Sequence, residues 1–141
     1  MATRTASAAQ STVVTPKSLR VGLVAINSTF SIPAGQSISI GDVIQMIRVP
    51  ANSRAVFVGL TSTYVQAAVE VGDGLLTNRY MPVQSTSAAH AASTFVQGSL
   101  NVPYTYSVDD TIDIQASLVS VSTVAGAFYL TVILSMDPTQ G

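Results

Sequence analysis

The residues able to do chemistry are few. There is one histidine, His90, and no cysteine, which removes disulfides, thiolate metal sites and Cys nucleophiles together. A metal site would need His90 plus carboxylates, and a Ser-His-Asp triad would need it as the base. His90 lies in Q-S-T-S-A-A-H-A-A-S-T (84–94), rich in serine, but no G-x-S-x-G surrounds any of them. It is expected to be a solvated loop histidine. Asp109, Asp110 and Asp113 form the one acid cluster. Oxygen ligands suit Ca²⁺, yet the EF-hand spacing is absent, and the odd separation of Asp110 and Asp113 turns them to opposite faces of a strand. Turn and strand-edge roles follow. Asp73, between two glycines, reads as a turn former. Paired acids for glycoside hydrolysis are not excluded by spacing, but there is no Trp to form a sugar platform. Gly-rich phosphate loops are missing. No catalytic, metal-binding or cofactor-binding residue is assigned, and the chain is expected not to be an enzyme.

What remains is chemistry of contact. Arg48, Arg54 and Arg79 fall on different expected strands. They read either as outward charges that discourage stray edge pairing or as salt-bridge partners for a neighbouring subunit. Tyr64, Tyr80, Tyr104, Tyr106 and Tyr129 are either interface anchors or plugs closing the ends of the fold. Tyr104 and Tyr106 share a face. Arg4, Lys17 and Arg20 put three positive charges ahead of the first acid, Asp42. The candidate interface residues are therefore Arg4, Lys17, Arg20, Tyr104 and Tyr106.

The elements that must position these residues read as strands. Ile112, Ile114, Ala116 and Leu118 alternate with Thr111, Asp113, Gln115 and Ser117. Phe128, Leu130, Val132, Leu134 and Met136 alternate with Tyr129, Thr131, Ile133 and Ser135. A period of two belongs to a β-strand, and the Ser/Thr/Gly linker between the arms predicts a hairpin. Leu19 to Ile26 predicts a first strand with Leu19, Val21, Leu23 and Ala25 on one side, broken at Asn27 to Thr29. Ile32-Pro33-Ala34-Gly35 and Val49-Pro50-Ala51-Asn52 each predict a β-turn with Pro in second place, opening a strand. Val65 to Val71 alternates with Val65, Ala67, Val69 and Val71 inward. After a turn at Gly72-Asp73-Gly74, a returning strand is expected over Leu75 to Val83, with Arg79 outward. Residues 84–94 read as a long surface loop, and Pro103 marks an edge or a break. About eight strands with short connections and no helical crossover predict an all-β fold, an antiparallel β-sandwich or jelly roll.

Composition agrees. Val, Ile and Thr supply 43 of 141 residues, types that fit a pleated surface. Only 9% of residues are charged, against about 25% in an average soluble domain. No run approaches the roughly 20 apolar residues of a membrane span, and the start lacks a signal-peptide core. The expectation is that much of the surface faces other subunits, since isolated proteins rarely expose broad apolar patches. The other reading is a monomer kept soluble by Ser, Thr and Gln. A net charge of −1 gives no field to attract nucleic acid. Residues 1–18 show no periodicity and are expected to form an extended N-terminal arm that orders on a neighbouring subunit, ahead of a sandwich domain over 19–141.

Three segments carry a resemblance: G-D-V-I-Q-M-I-R-V-P-A-N-S-R-A-V-F-V-G-L (41–60), V-E-V-G-D-G-L-L-T-N-R-Y (69–80) and Y-S-V-D-D-T-I-D-I-Q-A-S-L-V (106–119), with A-G-A-F-Y-L-T-V-I-L-S-M-D (125–137) in keeping. Over roughly residues 20–137 the chain resembles head decoration (cement) proteins of tailed bacteriophages. The resemblance implies a β-rich virion protein, made in the host bacterial cytoplasm, that sits on the capsid surface. It implies the major capsid protein as partner, with clamping of neighbouring subunits, and a homo-oligomer, dimer or trimer. It implies no cofactor, no nucleic acid and no membrane partner, and it carries no site residues onto this chain. The alternative is a receptor- or carbohydrate-binding head-fibre or tail module, using Tyr104, Tyr106 or the 84–94 loop.

Overall fold

A computed structural model describes residues 2–6, 22–64, 67–86, 104–118, 120–121 and 124–136. Among them are eleven strands and no helix: β1 (Thr3–Thr5), β2 (Gly22–Ile32), β3 (Ser37–Ile38), β4 (Val43–Val49), β5 (Ser53–Ser62), β6 (Ala68–Asp73), β7 (Met81–Ser85), β8 (Tyr104–Thr105), β9 (Asp110–Ala116), β10 (Ser120–Val121) and β11 (Gly126–Met136). They form a five-stranded sheet ordered β1-β4-β9-β6-β7, a four-stranded sheet ordered β2-β11-β5-β8, and a small β3–β10 ribbon. Every pairing is antiparallel except β1 on β4. The expected all-β sandwich is the fold.

Alternation explains the core. Ile112, Ile114 and Ala116 of β9, with Ile44, Ile47, Val69 and Val71 beside them, join one buried cluster with Phe128, Leu130, Val132 and Leu134 of β11 and Ala55, Val58 and Leu60 of β5. Each sheet hides one face against the other, the arrangement that buries both apolar faces at once. The inward face expected for β11 is the observed one. Leu118 is not inward: it lies past the end of β9 and is exposed.

The two C-terminal arms do not form a hairpin. β9 pairs with β4 and β6, whereas β11 pairs with β2 and β5, so the connection between them crosses from one sheet to the other. A period of two says that a strand has an apolar face; it does not say which strand lies beside it. Packing the arms in opposite layers lets both faces meet the same core.

Three further expectations change in register. β2 runs unbroken through Asn27 to Thr29, and its more buried side is Val24, Ile26, Ser28, Phe30 and Ile32; Leu23 and Ala25 face outward. Full-length pairing with β11, Gly22 opposite Met136 through Ile32 opposite Gly126, sets this phase. The two Pro turns exist but sit one residue later. Gln36 N–H donates to the Pro33 carbonyl (3.2 Å) and Ser53 N–H to the Pro50 carbonyl (3.3 Å). Gly35 (φ 79°) and Asn52 (φ 64°) then occupy the third position, where a type II turn needs positive φ and accepts Gly or Asn. Finally, residues 75–80 are turn rather than strand, β7 starting only at Met81, and Arg79 is buried instead of outward.

Residues 2–6, the start of the expected arm, line this chain's own β4. Thr3, Arg4 and Thr5 pair with Val43, Ile44 and Gln45, and Ala6 is buried. Residues 7–21, including Lys17 and Arg20, and 87–103, including His90 and most of the 84–94 loop, lie outside the described residues, as do Val65 and Gln66.

Candidate interaction surface

One end of the sandwich is closed by a polar cluster built on the turn after β6. Asp73 Oδ1 accepts the backbone N–H groups of Leu75 (3.1 Å) and Leu76 (2.9 Å), so Asp73 is the turn former its setting suggests. Its Oδ2 pairs with the Arg79 Nε and accepts the Tyr106 hydroxyl at 3.3 Å. The Tyr80 and Tyr106 hydroxyls share a short hydrogen bond. The Arg79 guanidinium lies 3.7 Å from the Tyr104 ring centre, and Tyr104 stands edge-on to Tyr106 with centroids 5.0 Å apart. Burial works against the Arg79 charge, but the Asp73 hydrogen bond and charge outweigh it, so its pKa is raised. Burial above all also raises the Tyr80 and Tyr106 hydroxyls. Both phenols stay neutral, and the cluster carries one fixed ion pair.

This arrangement locks a turn; it presents no nucleophile with a base. Among the described residues no three His, Cys, Asp or Glu side chains are grouped to hold a metal. Tyr104 and Tyr106 do share a face, as their spacing predicts. Tyr106, at 2% exposure, plugs this end together with Tyr80, Tyr64 is buried past the opposite end of β5 with its hydroxyl on the Gln36 carbonyl, and Tyr129 stays exposed. The roles of Asp73, Arg79 and Tyr80 escape sequence reading, because nothing in a period-two pattern says that a loop folds inward.

Asp113 sits beside this turn. It follows Ile112 on β9 and points away from the core face, yet is only 8% exposed. Its cross-strand neighbour on β6 is Gly72, and a Cβ on Gly72 would lie 2.0 Å from the Leu76 carbonyl oxygen. The 74–77 backbone therefore roofs the sheet where Asp113 emerges. Asp113 Oδ1 has no hydrogen-bond partner among the described residues. Burial foremost pushes its carboxyl up to about 7; the Thr111 hydroxyl opposes this, and the Asp110 and Asp73 charges add to it.

Two further ion pairs among the described residues also lie within the chain. Arg48 donates to Asp109 (2.9 Å), whose other oxygen accepts the Ala51 N–H and fixes the 50–53 turn. Asp42 accepts from Ser39 N–H (3.0 Å) and Ala2 N–H (2.9 Å), and Arg4 lies 3.9 Å away. The Ser39 bond foremost holds the Asp42 carboxyl below its ordinary range; burial opposes this, and Ala2 and the Arg4 charge help. Arg54, exposed on β5, has no ion pair among the described residues.

Large apolar side chains stand out at both ends instead. Leu75 (80% exposed), Leu76 and Val108 crown the turns at the tyrosine end, and Ile40, Leu118 and Val124 surround the β3–β10 ribbon at the other. The outward side of the four-stranded sheet shows Leu23 and Tyr129, also exposed, among Asn27, Thr29, Ser31 and Thr131. Exposed apolar side chains grouped at both tips are the feature that a contact surface would use.

The fold has known counterparts. A chain in the capsid of Ralstonia phage GP4 superposes with a TM-score of 0.72 at 14% identity, covering 96% of this chain and 98% of that one. A chain in the capsid asymmetric unit of cyanophage Pam1 superposes with a TM-score of 0.67, also at 14% identity, covering 84% and 87%. No family model matches the sequence, and no curated protein matches it. At this identity the likeness is one of fold.

Proposed function

We propose that the chain is a non-enzymatic structural protein of a phage virion, bound to the outside of the capsid, where it clamps neighbouring copies of the major capsid protein. The observation that carries this reading is the pair of capsid chains sharing its fold, one over 96% of this chain and the other over 84%. The surface supports it. Exposed Leu75, Leu76 and Val108 supply apolar contact at one end, and burial contributes about 25 cal/mol per Å². Such contacts are individually weak, but repeated on a symmetric lattice by a dimer or trimer they become hard to release. Arg4, Lys17 and Arg20 remain the proposed charged contacts of the N-terminal segment.

The test uses shells stripped of this protein and re-bound with purified chain, with occupancy read by co-sedimentation. Leu75→Asp with Val108→Asp should lower occupancy at least tenfold while the thermal melt stays unchanged. Undiminished occupancy refutes docking through this end. The receptor-binding alternative asked for a concave patch with Tyr104, Tyr106 or the 84–94 loop, most of which lies outside the described residues. Tyr106 is enclosed and Arg79 lies over the Tyr104 ring, so no open platform forms at these two tyrosines.

A further inference from the structure

The 74–77 turn is tied down at its two ends and by little between them. Asp73 and Arg79, which flank it, are buried and paired with each other. Residues 74–78 are all exposed, Leu75 most of all, so the segment between the anchors puts no side chain into the core. What holds it is polar and local. The Leu75 and Leu76 N–H groups donate to Asp73 Oδ1, and the Leu76 carbonyl accepts from the Asp73 and Arg79 N–H groups at 3.0 and 3.1 Å. A segment with few buried apolar contacts opens at low cost, without unfolding the sheet behind it.

Asp113 is what the closed turn covers. It faces the same side of the sheet as Gly72, its cross-strand neighbour, and the Leu76 and Thr77 backbone lies directly over Gly72. Asp110 stands at the other limb of the turn, where a Cβ on Gly74 would lie 3.3 Å from its Oδ1. β9 cannot move aside, because it is paired along both edges, with β4 and β6. The charged groups around Asp113 offer it no counterion. On β4, Gln45 stands opposite it, and Arg48, opposite Thr111, is bound to Asp109. On β6 are Gly72 and, opposite Gln115, Glu70. The turn brings Asp73, already paired with Arg79, and β9 brings Asp110. Asp113 makes no ion pair among the described residues, and its Oδ1 is unpartnered. A neutral carboxyl can stay in such a place. A carboxylate must reach water or bear the full cost of desolvation.

We propose that the 74–77 turn is a pH-operated lid latched by the proton on Asp113: with the carboxyl protonated the turn lies closed and presents Leu75 and Leu76 at the tip, and on ionisation it swings out between Asp73 and Arg79 and admits water to the carboxylate. The same burial moves the carboxyl up to about 7, so the lid works near neutral pH. The closed form keeps the proton where the open form has released it. Closure is therefore fully favoured at low pH, is lost progressively as pH rises to about 7, and loses no more above that. Any effect on docking through Leu75 and Leu76 rests on the proposed function. The lid itself is a property of the chain alone, so it is tested without a capsid and stands or falls separately from shell binding.

The test is NMR on the isolated full-length chain. The Asp113 carboxyl carbon should titrate near 7. Protection of the Leu75, Leu76 and Arg79 amides, corrected for the intrinsic pH dependence of exchange, should fall about tenfold or more between about pH 5.5 and pH 8. About 0.5 M guanidinium should leave that fall unchanged, because a local opening exposes little surface. Asp113→Asn has the same shape and no charge, and should hold the three amides protected at both pH values. Asp110→Asn keeps an oxygen for the Thr111 N–H but removes a like charge, and should move the transition to lower pH. Titration of Asp113 in the ordinary carboxylate range overturns the proposal. So does titration near 7 with the three amides still protected, since the carboxylate is then accommodated beneath a closed turn. A loss of protection that persists in Asp113→Asn also overturns it, because His90 or another group then drives the change.

Discussion

Asp113→Asn tests the reading of the roofed carboxylate. In the folded chain the group ionises near 7 instead of 3.8. A raised carboxyl pKa means that the folded state holds its proton where the unfolded state has released it. Stability is therefore highest at and below about pH 4, falls as pH rises from about 4 to 7, and levels off above. The shift of about three units, at about 1.4 kcal/mol each, sets the loss at about 4 kcal/mol. Local opening of the 74–77 turn lets water reach the charge and reduces this to about 2–4 kcal/mol. Asn has nearly the same shape and no charge to desolvate. Guanidinium unfolding at about pH 5 and pH 8 should show the native chain losing stability across the interval and the Asn variant holding level, with the variant more stable at pH 8. Asp42 does not confuse the comparison. Its pKa is lowered, so its contribution is lost only as pH falls below 3.8. Equal pH slopes for the two proteins would refute the argument that Asp113 is sealed beneath the turn.

Three other outcomes follow from the same corner and from the N-terminus. Asp73→Asn keeps an oxygen for the Leu75 and Leu76 N–H groups but leaves Arg79 charged and unpaired in a buried site; a loss of about 3–5 kcal/mol is expected in chemical unfolding. Gly72→Ala places a methyl 2.0 Å from the Leu76 carbonyl oxygen, so the turn must lift. A loss of about 2 kcal/mol or more is expected, with faster hydrogen exchange at the Leu76 and Arg79 amides, measured by NMR. Deleting residues 1–18 removes β1 and the Ala2 and Arg4 contacts to Asp42; about 1–3 kcal/mol of stability should go, while shell occupancy falls to background if the segment is the clamp. Full occupancy would exclude that role.

The sequence made strands, turns and faces legible to the extent that local physics decides them. Alternation placed Phe128, Leu130, Val132 and Leu134 inward because a strand has two sides. It failed at Leu23 and Ala25, where both sides of β2 carry apolar residues and the pairing with β11 chooses between them. The Pro turns were readable as turns. Their exact frame depended on Gly35 and Asn52, which tolerate positive φ. Partner choice was not legible: β9 and β11 are separated by a short, turn-rich linker that would suit a hairpin, and the chain uses it to change sheets. At the candidate surface, the shared face of Tyr104 and Tyr106 came from their spacing. The inward turn of Arg79 did not, because it depends on Asp73 drawing residues 74–79 back over Gly72. An acid and an arginine six residues apart around a Gly-flanked turn are the one local hint.

Scarcity of charge is the feature from which the functional argument grew, and the structure sharpens it. Arg79 and Arg48 are bound to Asp73 and Asp109, Arg4 lies against Asp42, and Asp113 is roofed. Charges spent on internal pairs contribute little field outside the molecule, so still less repulsion remains to hold copies apart than the composition suggests. Ser and Thr can keep a surface wet without such repulsion, but they do not account for Leu75 and Val108 standing into water at the loop tips. If the isolated chain stays monomeric at high concentration and its shell occupancy ignores the Leu75 and Val108 changes, both inferences from missing charge fall together, and only the likeness of fold is left.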